Sequence, residues 1–101
     1  MGIKDYIEQL TNEDRCHVFF IQDHGKILKF AVQYYAKIDG IWRSIMRVDN
    51  YHGTPHRHTY YLHGDESRVE LLEDSNLAFT QAKAEIRDNF LAIKDNFLFS
   101  Q

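Results

Sequence analysis

The chain has 101 residues, a formal net charge of −3 and a single cysteine. That length predicts one domain, 1–101, with a core large enough to fold without disulfides or structural metals. The acidic balance argues against generic nucleic-acid binding, because phosphate neutralisation supplies most of that affinity.

The N-terminus, MGIKDYIEQL, has no long apolar run and predicts no signal peptide. Apolar runs elsewhere last only a few residues, so no membrane span is expected. A lone Cys16 in an apolar run reads as a small core residue and fits a reducing, cytoplasmic setting.

Ile3, Tyr6, Ile7 and Leu10 fall at i, i+3, i+4 and i+7, which predicts a short amphipathic helix over residues 2–11. Three β-type runs follow, Cys16–Gln22, Lys26–Ile38 and Ile41–Asn50, rich in Val, Ile, Phe and Tyr. Asp23-His24-Gly25 and Asp39-Gly40 separate them as hairpin turns.

Register in the second hairpin is chosen by which pairing separates apolar from charged residues. A two-residue turn would set Val32 against Arg47 and Phe30 against Asp49. A three-residue turn, Ile38-Asp39-Gly40 with a G1 bulge, sets Val32 against Met46 and Phe30 against Val48. The three-residue turn is therefore expected. The same choice at Asp23-His24-Gly25 pairs Phe20 with Leu28 and Val18 with Phe30, with the two-residue turn left open as an alternative.

Gly53 and Pro55 mark Tyr51–Pro55 as a loop. A fourth strand is expected over Arg57–His63, a turn at Gly64–Ser67 and a short fifth strand over Arg68–Leu72. Asp74 or Ser75 then caps a long helix with an apolar stripe of Phe79, Ala82, Ile86, Phe90, Ile93 and Phe97. Within it Ile86–Ala92 recurs as Ile93–Phe99 with a period of seven. Two heptads are too few for a coiled coil, though Leu91 and Leu98 beside the stripe could serve a homodimer. The expected class is α+β: an antiparallel meander of four or five strands, a short N-terminal helix, and a long C-terminal helix on one face.

Four of the six histidines, His52, His56, His58 and His63, lie within twelve residues, flanked by Arg47, Asp49 and Asn50 and interleaved with Arg57. Loops on rigid scaffolds concentrate functional residues, and three readings compete here. The first is acid–base chemistry on a phosphodiester. Two histidines supply a general base and a general acid, Arg47 or Arg57 offsets developing charge, and Asp49 orients a histidine. Asn50, Arg57, Arg43 and Tyr35 would then contact substrate. The second is a metal site. His56 and His58, two apart on a strand, share a face, and His52 is a third ligand for a divalent ion such as zinc. The third is that these are ordinary surface histidines. His17 and His24 fall under that third reading, and so does His63, which alternates to the opposite strand face from His56 and His58. Lys29, Arg43, Arg47 and Tyr35 share the polar face of the expected meander. Such a face either holds RNA by phosphate contact and stacking or is simply solvated, with cross-strand ion pairs such as Lys29 with Asp49. No Gly-rich phosphate loop, cysteine cluster or nucleophile elbow is present.

The run Arg47-Val48-Asp49-Asn50-Tyr51-His52-Gly53-Thr54-Pro55-His56-Arg57-His58 resembles the signature of the TumE-like proteins, small toxin components of type II toxin–antitoxin systems. The hairpin Tyr35–Trp42 before it is similar to that of related uncharacterised domains, and the resemblance covers roughly residues 28–63. It implies a growth-inhibiting toxin neutralised by an antitoxin partner, with a ribonuclease or other RNA-directed activity carried by Arg47, Asp49, Asn50, His52, His56 and His58. In that reading no cofactor is required. The departure is the acidic charge. The alternatives are a metal- or ligand-binding module without catalysis, and an adaptor whose helix face binds a partner.

Overall fold

The structure is a computed structural model that describes residues 1–100. Six strands run in sequence order across one open antiparallel sheet: β1 (Gly2–Thr11), β2 (Asp14–Asp23), β3 (Lys26–Ile38), β4 (Ile41–Asp49), β5 (His56–Tyr60) and β6 (Glu66–Glu70). A single helix, α1 (Ser75–Phe99), packs on one face of β2, β3 and β4.

Two expectations are corrected: there are six strands rather than four or five, and residues 2–11 form β1 rather than a helix. The proposed helical stripe buries little, since Ile3 and Ile7 are 65% and 55% exposed. A ten-residue helix is marginal alone. Pairing with β2, from Gly2 opposite Gln22 to Thr11 opposite Asp14, satisfies the backbone instead. A bulge at Leu10 breaks the alternation, and Leu10 packs against the core. Apolar residues on both faces of this edge strand, Ile3 and Ile7 on one and Tyr6 on the other, produced the helix-like spacing.

The turns also differ from expectation. His24-Gly25 and Asp39-Gly40 both have positive φ at each residue (49° and 79°; 52° and 80°), the signature of two-residue type I′ turns. Left alone, those turns would set core residues against charged ones. A bulge in each hairpin prevents it. Leu28 is the extra residue in the first and Ile45 in the second. Beyond the bulges Phe20 faces Phe30, Val18 faces Val32, and Val32 faces Val48. The expected pairs Phe30–Val48 and Val32–Met46 are therefore displaced by two residues, which preserves side-chain direction. Val32 does not meet Arg47.

The core gathers Cys16, Val18, Phe30, Val32, Tyr34, Ile45, Met46 and Val48 beneath Ala78, Phe79, Ala82, Ile86 and Phe97. Burial pushes the Cys16 thiol up to about 11, with the charge of Glu8 adding to it, so it stays protonated and inert. Phe79 sits between Phe20 and Phe30, with ring centroids 4.9 and 5.6 Å away. Asp74 caps the helix by accepting from the Leu77 N–H at 2.8 Å. The helix kinks at Asn89, inside the first seven-residue copy. Phe90 and Ile93 are only half-buried, whereas Phe97 is fully buried. Leu91 is 61% exposed, but Leu98 packs against the core.

The repeat has a structural use. Its second position is Arg87 in one copy and Lys94 in the next, and each reaches a carboxylate across the sheet: Arg87 to Glu8 at 3.5 Å, Lys94 to Asp14 at 2.8 Å. Asp14 is 2% exposed and also accepts from the Tyr34 hydroxyl and the Thr11 hydroxyl, both at 2.5 Å. Burial alone would raise its pKa; the bonds from Lys94, Thr11 and Tyr34 outweigh that and hold it below the usual carboxylate range. Replacing Lys94 with Met should strand this buried charge and cost about 3 kcal/mol or more. Arg87→Met should cost less than about 1 kcal/mol, because that pair is solvated. Urea denaturation midpoints decide it, and equal losses would show that Asp14 is held without Lys94.

Candidate functional site

Alternation along β4 puts Met46 and Val48 into the core and turns Arg47 and Asp49 to the face that α1 does not cover. The ladder to β5 sets Asp49 opposite His56 and Arg47 opposite His58. The polar pairs of the motif therefore meet on the open face. Arg47, Asp49 and His58, with Tyr51, His52, Tyr60 and Glu66, line a shallow concavity of about 280 Å³.

Asp49 is its hub, and although its face is uncovered it is only 4% exposed. It accepts from Arg47 Nε at 2.6 Å and from the Tyr51 N–H at 3.0 Å, and His58 Nε2 lies 3.2 Å away. Burial would raise the Asp49 carboxyl; the Tyr51 amide, the hydrogen bond and charge of Arg47, and His58 outweigh it and hold the carboxyl below its ordinary value. Burial pulls the Arg47 guanidinium down, but the Asp49 bond and charge more than offset it and raise it.

His58 Nδ1 lies 2.7 Å from Glu66, so both ring nitrogens face carboxylates. A neutral imidazole has one N–H; only the doubly protonated ring donates to both. Tyr60 stacks on His58 at 6.4 Å with the planes 12° apart. Burial, then the charge of Glu66, raises the Tyr60 phenol, which keeps its proton. The Tyr51 ring has Lys29 Nζ 4.5 Å from its centroid and the Arg47 guanidinium carbon 4.7 Å away, both within cation–π range. His52 lines the same concavity from the loop after β4.

Of the residues nominated from sequence, Arg47, Asp49, His52 and His58 come together here. The others do not. His56 shares the strand face but donates from Nδ1 to the Thr54 carbonyl at 2.9 Å, with Nε2 3.9 Å from Glu70. Asn50 is buried and structural. Its carbonyl oxygen accepts from the Phe30 N–H at 2.9 Å, and its amide donates to the Leu28 carbonyl and the Ser75 hydroxyl. Arg57 points to the helix side, where it grips Glu85 at 2.6 and 2.7 Å. Arg43 is also on the helix side, its guanidinium carbon 5.6 Å from the Phe97 centroid. The Ile45 bulge causes this, because an extra residue reverses side-chain direction along β4. Tyr35 stays on the open face, bonded to Gln33, beyond the concavity. His52, His56 and His58 do not converge as ligands, and among the described residues no group of three or more His, Cys, Asp or Glu side chains is placed to hold a metal ion. His63 pairs with Asp65 at 3.0 Å, away from the site.

Three participants were missed. Tyr60 was available from alternation, two residues beyond His58. Tyr51 lies inside the motif but carries no acid–base chemistry. Glu66 depends on the β5–β6 register, which sets it opposite Tyr60.

Asp49 and Asp14 both have depressed folded-state values. Their contribution to stability is thus present above the unfolded aspartate value of about 3.9 and is lost as pH falls through the lower folded values. Asp49→Asn should lower stability at neutral pH and flatten the acid limb below about pH 4 relative to wild type. Urea midpoints from pH 2 to 7 measure this, and an unchanged acid slope would show that Asp49 is not a stabilising anion.

Neither a curated protein nor a solved structure matches the chain. One family model matches residues 1–100, and the chain belongs to that family, DUF7718, described as a domain of unknown function.

Proposed function

We propose that the concavity cleaves RNA by metal-independent acid–base chemistry, in a toxin-like chain of the kind the motif Arg47–His58 resembles. The carrying observation is that Asp49 binds Arg47 and His58 at once, in a concavity that His52 also lines. A phosphate bound there meets a cation, a carboxylate-oriented imidazole and a second imidazole free of the first pair. His52 accepts the proton of a 2′-hydroxyl as that oxygen bonds to phosphorus. The bond from phosphorus to the 5′-oxygen breaks, and His58 gives the leaving oxygen the proton of Nδ1, the nitrogen whose partner, the exposed Glu66, substrate displaces. Arg47 balances the charge on the non-bridging oxygens. The products are a 2′,3′-cyclic phosphate and a free 5′-hydroxyl.

Asp49 fixes the orientation of the His58 ring at Nε2, as the third member of a relay does. The reading places the chain in the cytoplasm with an antitoxin protein as its neutralising partner; no helix among the described residues is long and apolar enough to cross a membrane. Any metal role for His52, His56 and His58 would need the loop at Thr54 to release His56.

The test is cleavage of a single-stranded RNA against the same oligomer with every 2′-oxygen methylated. RNA alone should be cut, with a cyclic phosphate product. His52→Ala and His58→Ala should each lower turnover by about 10²–10⁴-fold, and a chelator should change nothing. Cutting of the methylated oligomer, loss of activity to chelator, or wild-type turnover in both variants would overturn the reading.

A further inference from the structure

A second cation–aromatic cluster lies on the same open face, toward the Asp39-Gly40 turn. The Arg15 guanidinium carbon sits 4.0 Å from the centroid of the Trp42 ring. Arg15 is directly opposite Tyr35, Tyr35 opposite Ser44, and Lys37 opposite Trp42. The Ile45 bulge that turns Arg43 toward the helix turns Trp42 outward, so the largest aromatic of the chain is spent on an uncovered face. Trp42 is half-buried there and lies outside the core.

We infer that Trp42, Arg15 and Tyr35 form a second stacking subsite for single-stranded RNA, continuous across the sheet with the Tyr51 concavity. This rests on the reading of that concavity as an RNA site. An aromatic face and a cation at one spot are what a stacked base and its phosphate need, and guanidinium planes stack bases themselves.

Charge selects the occupant. Away from the turns, the open face of β2, β3 and β4 presents Arg15, Lys29, Lys37 and Arg47 against one carboxylate, Asp49, with Glu66 of β6 at the far wall of the concavity, in a chain whose net charge is −3. A polyanion fits that strip. Trp42 and Arg47 are separated by roughly 15 Å at the ~3.3 Å rise of a strand residue. That distance is a few nucleotides of a strand with a stacked repeat of ~3.4 Å. Tyr35 lies between the two ends: it is opposite Ser44, two residues from Trp42, and its hydroxyl donates to Gln33, which is opposite Arg47. Paired bases in a duplex cannot offer their faces to these rings, so the track is for single strands.

The test uses the full chain and a labelled oligoribonucleotide of about ten residues, fully 2′-O-methylated so that it cannot be cut. Trp42→Ala should weaken its binding about tenfold to a hundredfold, while Trp42→Phe, which keeps a stacking face, should stay within about threefold of wild type. Arg15→Gln should weaken binding and reduce the salt dependence by about one phosphate contact. Turnover of a dinucleotide, which reaches only the concavity, should be unchanged in Trp42→Ala. Wild-type binding of the decamer by Trp42→Ala overturns the subsite, as does equal competition by an RNA duplex. If the wild-type chain cuts no RNA yet binds the decamer in a Trp42-dependent way, the cleavage reading fails and the subsite stands. If it binds no decamer, the subsite fails on its own account.

Discussion

One helix has to shield a sheet six strands wide, and most of the architecture follows from that shortfall. Strands lie ~4.8 Å apart and a helix with its side chains is ~10 Å across. The 25 residues of α1 can therefore seal only the strip over β2, β3 and β4. Along the margins of that strip the contacts become ionic: Arg87 with Glu8 over β1, Arg57 with Glu85 over β5. Lys94 with Asp14 is the one margin pair drawn into the protein, because Tyr34 carries a hydroxyl into the core that needs an acceptor. No helix among the described residues covers the other face of the sheet. Its residues must be soluble or must cover one another, and around Asp49 they do the second: Arg47, Tyr51 and His58 close over a carboxylate that would otherwise face water.

Much of this was legible because a buried face enforces side-chain parity. The separation of apolar from charged residues correctly demanded that Val32 avoid Arg47. It could not say how. Two local rules pull in different directions here: Asp39-Gly40 is a strong two-residue turn, and face separation forbids the register such a turn imposes. The chain obeys both by inserting Ile45, and Ile45 and Met46 both end up buried. A bulge has no sequence signature comparable to Asn-Gly or Asp-Gly, so the compromise was invisible. The same compromise recurs at Leu28 in the preceding hairpin. The N-terminal segment failed for the complementary reason. As an edge strand it buries few side chains, so its apolar spacing carried no information about a core.

The site divides along the same lines. Arg47, Asp49 and His58 were readable because alternation within β4 and within β5 is regular between the bulge and the loop. The same alternation already separated Arg57 from His58; its assignment to substrate ignored the period of two. Arg43 was unreadable, since only the bulge sends it to Phe97. Asn50 belongs to neither group. It ends β4 where β3 still has backbone groups to satisfy, and its amide takes the place of a missing strand residue while tying down Ser75 at the start of α1. A polar residue beside a histidine motif looks functional until its hydrogen bonds are counted.

The acidic composition also changes meaning once charges are placed. Several carboxylates sit in turns and loops, at Glu13, Asp39, Asp65 and Asp74, or on the edge strands, as Asp5, Glu8 and Glu70 do, whereas Glu66 reaches the concavity beside His58. At physiological ionic strength a charge is screened over ~8 Å. A phosphate on the middle of the open face is therefore governed by Lys29, Arg47 and their neighbours rather than by the sum over the chain. Within that field Asp49 sets a threshold. It already holds Arg47 and touches His58, so a ligand anion gains their charge only where it can share or displace a carboxylate buried beside them. A lone anion must meet that competition with one contact. A strand of phosphates, with bases to stack on Tyr51 and its neighbours, meets it with several, and the arrangement thereby discriminates a polymer from an ion.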